Sequence, residues 1–307
     1  MKKISLIGLI SLIALVLLVT AACSNGTSVN EEVAIMRSVD AELSTATIED
    51  NADYTIAFDE LNAQLLQLND VYPAEIQSRG PIWRWFKRIV LGDFLGAILG
   101  TAILPGSVIS GVVGAIYGSI CAAQFTYSTE VGAPSEPIEV TVNPNINTSS
   151  LQSAINSGYL HNLVIYEIYE DYGNNIYTMN DNTLRTKIAE YVGRYVLITN
   201  NVENVFLTNI THKMFLNYVN ENYDILSTEM VFNDLSNLYP NISNELETLS
   251  IFGNHYAELT SVSTRNSYTN SFISTVNSSS ISTISKNIII SSVSTANRSS
   301  QLWVSAQ

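Results

Sequence analysis

From Leu91 to Phe125 the chain runs apolar with Asp93 as its only charge, and Pro105-Gly106-Ser107 divides the run in two. Nothing else in the sequence restricts the fold as much. Pro105 disfavours the helical conformation at Leu104, so the pattern predicts a helical hairpin of Leu91–Leu104 and Val108–Phe125. Gly92, Gly96 and Gly100 recur every fourth residue, and Gly114 and Gly118 repeat that spacing. Such glycines clear one helix face of side chains and let a second helix approach closely. In a bilayer, close packing of this kind drives helix association. Three fates are open to the hairpin: the buried centre of a helical body, insertion in a membrane, or self-association.

Length separates these only in part. At about 1.5 Å per residue the halves reach roughly 21 Å and 27 Å, against a hydrocarbon core of about 30 Å. They could span only a thin bilayer, and the outer membrane is thinner than average. Immediately upstream lie Trp83, Arg84, Trp85, Lys87 and Arg88. An aromatic and basic stretch like this suits the headgroup level of a membrane.

The chain opens Met1-Lys2-Lys3, and Ile4 to Val19 is then apolar apart from Ser5, Gly8 and Ser11. Thr20-Ala21-Ala22-Cys23 follows, and Ser24 to Ser28 reads as a polar tether. A charged start, an apolar run and small residues at a cleavage point mark an export signal. With cysteine directly after the small residues, this ending resembles the lipobox of bacterial lipoproteins, although Thr20 stands where that family usually carries Leu. The resemblance implies cleavage before Cys23, a diacylglyceryl group on its thiol, and further acylation (palmitate or a similar chain) of the new N-terminus. Two or three acyl chains anchor stably where one does not. Ordinary signal cleavage after Ala22 and an uncleaved anchor are the alternatives. The second meets the objection that the apolar run is shorter than the ~20 residues a spanning helix needs. Together, the lipobox and the glycine-spaced hairpin resemble the glycine-zipper lipoproteins of bacterial outer membranes, over residues 1–25 and 91–125. That likeness implies a lipid-anchored protein of the outer membrane or cell surface.

Without Lys2 and Lys3, the 14 basic residues fall to 12 against 28 acidic, a formal charge of −16. Such a surface argues against nucleic-acid binding, which needs basic patches to displace counterions. Of the two cysteines only Cys121 remains once Cys23 is lipidated, so no intramolecular disulfide can form.

The expected fold is mainly α. An export signal (1–22) and lipidated tether (23–29) precede a helical module (30–126) carrying the hairpin 91–125. A Pro-containing linker (127–150) then leads to a helical, bundle-like domain (151–307) with a Ser/Thr-rich end. Phe58, Leu61, Leu65 and Leu68 recur at helical spacing, as do Val33, Met36 and Leu43 before them. In the second half Leu151 and Ile155 start a helix that Gly158 interrupts, with His161 to Tyr172 continuing it. Leu184, Ile188 and Tyr191 mark another, and Met214, Phe215, Tyr218 and Val219 one more. Leu226, Met230, Leu235 and Leu238 mark the next. Ser243 is read as the cap of a helix through Leu246, Leu249, Phe252 and Leu259. Phe272, Val276, Ile281, Ile284 and Ile288 fit a helix, but Ser, Thr and Ile suit strands nearly as well.

Catalytic patterns are lacking. His161, His212 and His255 fall on separate predicted helices, with no His-x-x-x-His pair and no cysteine cluster, so no metal or other cofactor is expected. Gly-x-Ser-x-Gly, a P-loop and a dinucleotide fingerprint are absent. Glu167, Glu170 and Asp171 read as a solvated face, and His161 with Asn162 as a capping or packing pair. The sequence therefore points to a non-enzymatic, lipid-anchored envelope protein in which the hairpin aids membrane association or assembly. The alternative is a secreted, bacteriocin-like permeabilising protein, with the hairpin shielded until it inserts. The partner is a membrane through Cys23, with self-association possible.

Overall fold

A computed structural model describes residues 51–74, 81–103, 107–126, 134, 151–196, 216–217, 219 and 227–303; for 51–52, 81–89, 102–103, 125–126, 151 and 228 only the backbone is described. The protein is mainly α, with nine α-helices, two 3-10 turns and no strand among these residues. Cys23, His212 and the helices expected over residues 33–43 and 214–215 lie outside them. The chain divides between Ile56 and Ala57, and the unit Ala57–Gln307 holds the packing described below.

Helix α1 (Asn51–Val71) turns Phe58, Leu61 and Leu65 inward, one apolar stripe at spacings of three and four. The hairpin follows as α2 (Pro81–Ile103) and α3 (Val108–Thr126), the most closely paired helices of the fold. Helix α4 (Leu151–Tyr172) runs unbroken. Gly158 does not interrupt it, because that glycine is where α4 meets the last helix. A Cβ there would lie 2.5 Å from the Ser294 carbonyl oxygen. A 3-10 turn (Gly173–Thr178) leads to α5 (Asp181–Val192), capped by Asn180 accepting from the Thr183 N–H.

Helix α6 (Thr228–Leu238) is capped by Ser227 and buries Val231, Phe232 and Leu235. Met230, expected on the inner face, is 49% exposed: the buried stripe lies one position further along. Ser243 does not cap α7 (Ser243–Tyr256); the 3-10 turn Pro240–Ile242 runs straight into it. The Ser/Thr-rich end forms two helices, α8 (Val262–Ser278) and α9 (Thr283–Leu302), capped by Ser261 and Ser282. Ile281 is buried in the turn between them, while Ile284 is half exposed.

Helix α9 is the centre of the fold. It packs on α4, both hairpin helices, α7 and α8, and is buried on every side from Asn287 to Asn297. Several of its hydroxyls find partners within the helix. Ser291 and Ser292 both donate to the Ile288 carbonyl, and Ser300 to that of Asn297. The small side chains let α4 come close: Ser157 donates to the Ser291 carbonyl and Ser294 to that of Ile155. Helices on both sides of residues 127–150 thus share one core within the unit Ala57–Gln307. Helix α1 joins the same core through Thr248 Oγ1 donating to Asn62 Oδ1 at 2.7 Å.

Candidate functional site

The glycines of the hairpin face one another in register. A Cβ on Gly92 would meet the Gly118 carbonyl oxygen at 2.8 Å, one on Gly96 that of Gly114 at 2.3 Å, and one on Gly100 that of Ser110 at 2.0 Å. The obstacles are backbone atoms, so α2 and α3 touch chain to chain. Around this seam Phe94 to Leu99 and Val108 to Ala123 are buried. The first turns of α2 carry Trp83, Arg84, Trp85, Lys87 and Arg88, whose side chains lie outside the described residues. Among the described residues no helix is long and apolar enough to cross a membrane.

Asp93, one residue into the glycine series, is the single acid of the hairpin and is fully buried. His161 of α4 brings Nε2 to 3.3 Å from its Oδ1, close enough to pair charges but poorly aimed for a hydrogen bond. Ser299 of α9 donates to its Oδ2, and the Ser119 hydroxyl of α3 stands near enough to favour the ionised carboxylate. The Trp303 indole N–H donates to Ser119 Oγ at 3.2 Å. His161 Nδ1 lies 2.9 Å from Asn162 Oδ1, and Asn162 donates onward to the Arg298 carbonyl at 2.8 Å. One carboxyl therefore ties both hairpin helices to α4 and α9. Burial pushes the Asp93 carboxyl above its ordinary range, against the pull of His161 and the Ser119 hydroxyl.

A second tie holds the other hairpin helix. Tyr117 of α3 donates to Asp181 Oδ1 at 2.5 Å, with the buried Arg185 guanidinium stacked 4.1 Å over its ring. Gln124 donates to the carbonyls of Ile176 and Met179. Nearby, the carboxylates on α4 are partly engaged: Tyr195 donates to Glu167 and Tyr191 to Asp171. His255 is elsewhere, its Nε2 2.6 Å from the Tyr72 carbonyl oxygen, and burial pushes it below the usual histidine range.

Ser, His and Asp meet in this node, but in the wrong order for acyl transfer. Nucleophilic catalysis needs the hydroxyl against the imidazole, with the carboxylate behind. Here Ser299 is bonded to the carboxylate, and Asp93, His161 and Ser299 are all closed to solvent. Among the described residues no group of three or more His, Cys, Asp or Glu could hold a metal. In the sequence Asp93 is a lone charge and His161-Asn162 a pair 68 positions away, and nothing local joins them. The available signal was a carboxylate in an apolar run, which must find a partner. Comparison with known proteins finds no matching family model, no similar curated protein and no similar solved structure.

Proposed function

We propose that the protein is a non-enzymatic, lipid-anchored cell-envelope protein, held by acyl chains on Cys23, whose helical body stores the α2–α3 hairpin for association with a membrane. The observation that carries this reading is the difference between the hairpin's two kinds of contact. Its internal seam is backbone on backbone, which it keeps wherever it goes. Its contact with α9 includes small polar groups, with Ser291 beside Gly111 and Ser299 on Asp93. Small polar side chains bury less apolar area than Leu or Ile, so each such contact holds more weakly, at about 25 cal/mol per Å². Aromatic contacts of Phe94 with Phe232 and Phe252 keep the body closed in water.

Association ranks ahead of the pore-forming alternative on length. Permeabilisation needs spanning elements, and the helices here suit partial embedding, with the Trp83–Arg88 stretch at the headgroups. Cell fractionation tests the anchor: the wild type belongs wholly with membranes, and the Cys23→Ala chain should lose the share that the acyl chains hold and keep only what the hairpin retains. Vesicle flotation tests the hairpin, using residues 24–307, which keep the whole packed unit. These should float with liposomes. Failure to float across lipid compositions and pH would sink the membrane-association reading, while release of an entrapped dye would favour the permeabilising one.

A further inference from the structure

We propose that embedding of the hairpin in lipid is coupled to uptake of one proton at Asp93, so that Asp93, His161, Ser119 and Ser299 form an acid-responsive latch; this rests on the membrane-association reading above. In the closed body the carboxylate is supported by His161 of α4, the titratable group that faces it among the described residues. The other elements at the node offer uncharged donors: Ser119 from α3 and Ser299 from α9. The nearest cation on α9, Arg298, is turned away, its guanidinium 3.9 Å over the Tyr159 ring and donating to Gln301 Oε1. On α6 and α7 the groups that meet the next residue, Phe94, are the rings of Phe232 and Phe252. On α3, Tyr117 is engaged with Asp181 and Arg185 of α5.

Moving the hairpin into lipid strips Asp93 of His161 and Ser299, which belong to helices outside the hairpin. Desolvation remains while that support is lost, so the carboxyl holds its proton to a higher pH in lipid than in the body. Between those two titrations a carboxylate oxygen takes a proton from bulk water as the hairpin embeds. His161 stays in the body with its own proton count unchanged, because the hairpin's departure opens it to water in place of the carboxylate, so the net uptake is one. One proton taken up makes the partition rise about tenfold per pH unit of acidification.

The test is flotation of residues 24–307 with phosphatidylcholine vesicles across about pH 4 to 8, a range that lies above the ordinary carboxylate value and in which that headgroup carries no net charge. Partition should rise as pH falls. Asp93→Asn, isosteric and neutral, should embed better near neutrality and show a pH slope shallower by about one proton. If both chains embed with equal slopes, the latch is wrong and the membrane reading survives. If neither embeds at any pH, both fall. Should Asp93→Asn fail to fold, proton uptake by the wild type on mixing with vesicles in weak buffer decides: about one proton per embedded chain supports the latch, and none overturns it.

Discussion

Oδ1 of Asp93 and Nε2 of His161 stand 3.3 Å apart with neither side chain exposed, joining the apolar hairpin to α4 at a fully dry point. A buried pair broken from one side leaves its partner uncompensated. His161→Leu is therefore expected to destabilise the fold by about 3–5 kcal/mol near neutral pH. Adding Asp93→Asn should recover a large part of that loss, because the stranded charge is gone. Urea unfolding of the two single variants and the double variant measures the coupling; additive losses would show that the contact carries none.

The titration of Asp93 gives stability a sign with pH. Its folded-state carboxyl is raised, chiefly by burial, so the folded protein holds that proton more tightly than the unfolded chain. This contribution is fully present below the ordinary carboxylate value of about 3.9 and is lost as pH rises through the higher folded value. Relative to wild type, Asp93→Asn should gain stability across that rise and become flat above it. Chemical unfolding at a series of pH values checks this; a gap between the two chains that does not change with pH contradicts the raised carboxyl.

Gly96→Ala should be among the costliest single methyl additions in the chain. The new Cβ would stand 2.3 Å from the Gly114 carbonyl oxygen, and backbone cannot rotate aside. The helices must separate, at about 1–3 kcal/mol or more, against a helix-propensity gain of about 1 kcal/mol. Gly111→Ala meets the Thr101 methyl at 2.7 Å instead, a side-chain atom that can shift. Thermal unfolding should rank Gly96→Ala well below Gly111→Ala, and equal melting points would contradict the backbone seam.

A covalent lock on the hairpin should abolish membrane association. A Cβ at residue 111 would lie 3.7 Å from Ser291 Oγ, within reach of a disulfide between Gly111→Cys and Ser291→Cys. Thr101→Ser in the same chain relieves the crowding and keeps the hydroxyl bonds to the Ala97 and Ile98 carbonyls. Oxidised protein should stay off vesicles and reduced protein should float. Equal flotation in both states would mean the hairpin never leaves α9.

The helical class was legible in the sequence, since apolar spacing reports which face of a local segment avoids water. Phe58, Leu61 and Leu65, and likewise Leu184, Ile188 and Tyr191, are buried as their spacing implies. The glycine series marked where helices could touch, because a missing side chain is a local property. What the glycines touch depends on a partner chosen elsewhere in the chain, and Gly158 read as a break for that reason. Helix α9 was the least legible: its Ser and Thr residues predict exposure, yet it is the buried centre. Hydroxyls bonded to their own helix need no water, and their small size admits α4 and the hairpin on several sides. Asp93 shows the same division. The sequence alone determined that a carboxylate lay in an apolar hairpin and needed a partner. Only the tertiary structure could decide that His161 and Ser299, 68 and 206 positions further along, would supply it, because charge compensation acts through space and leaves no periodic trace in the chain.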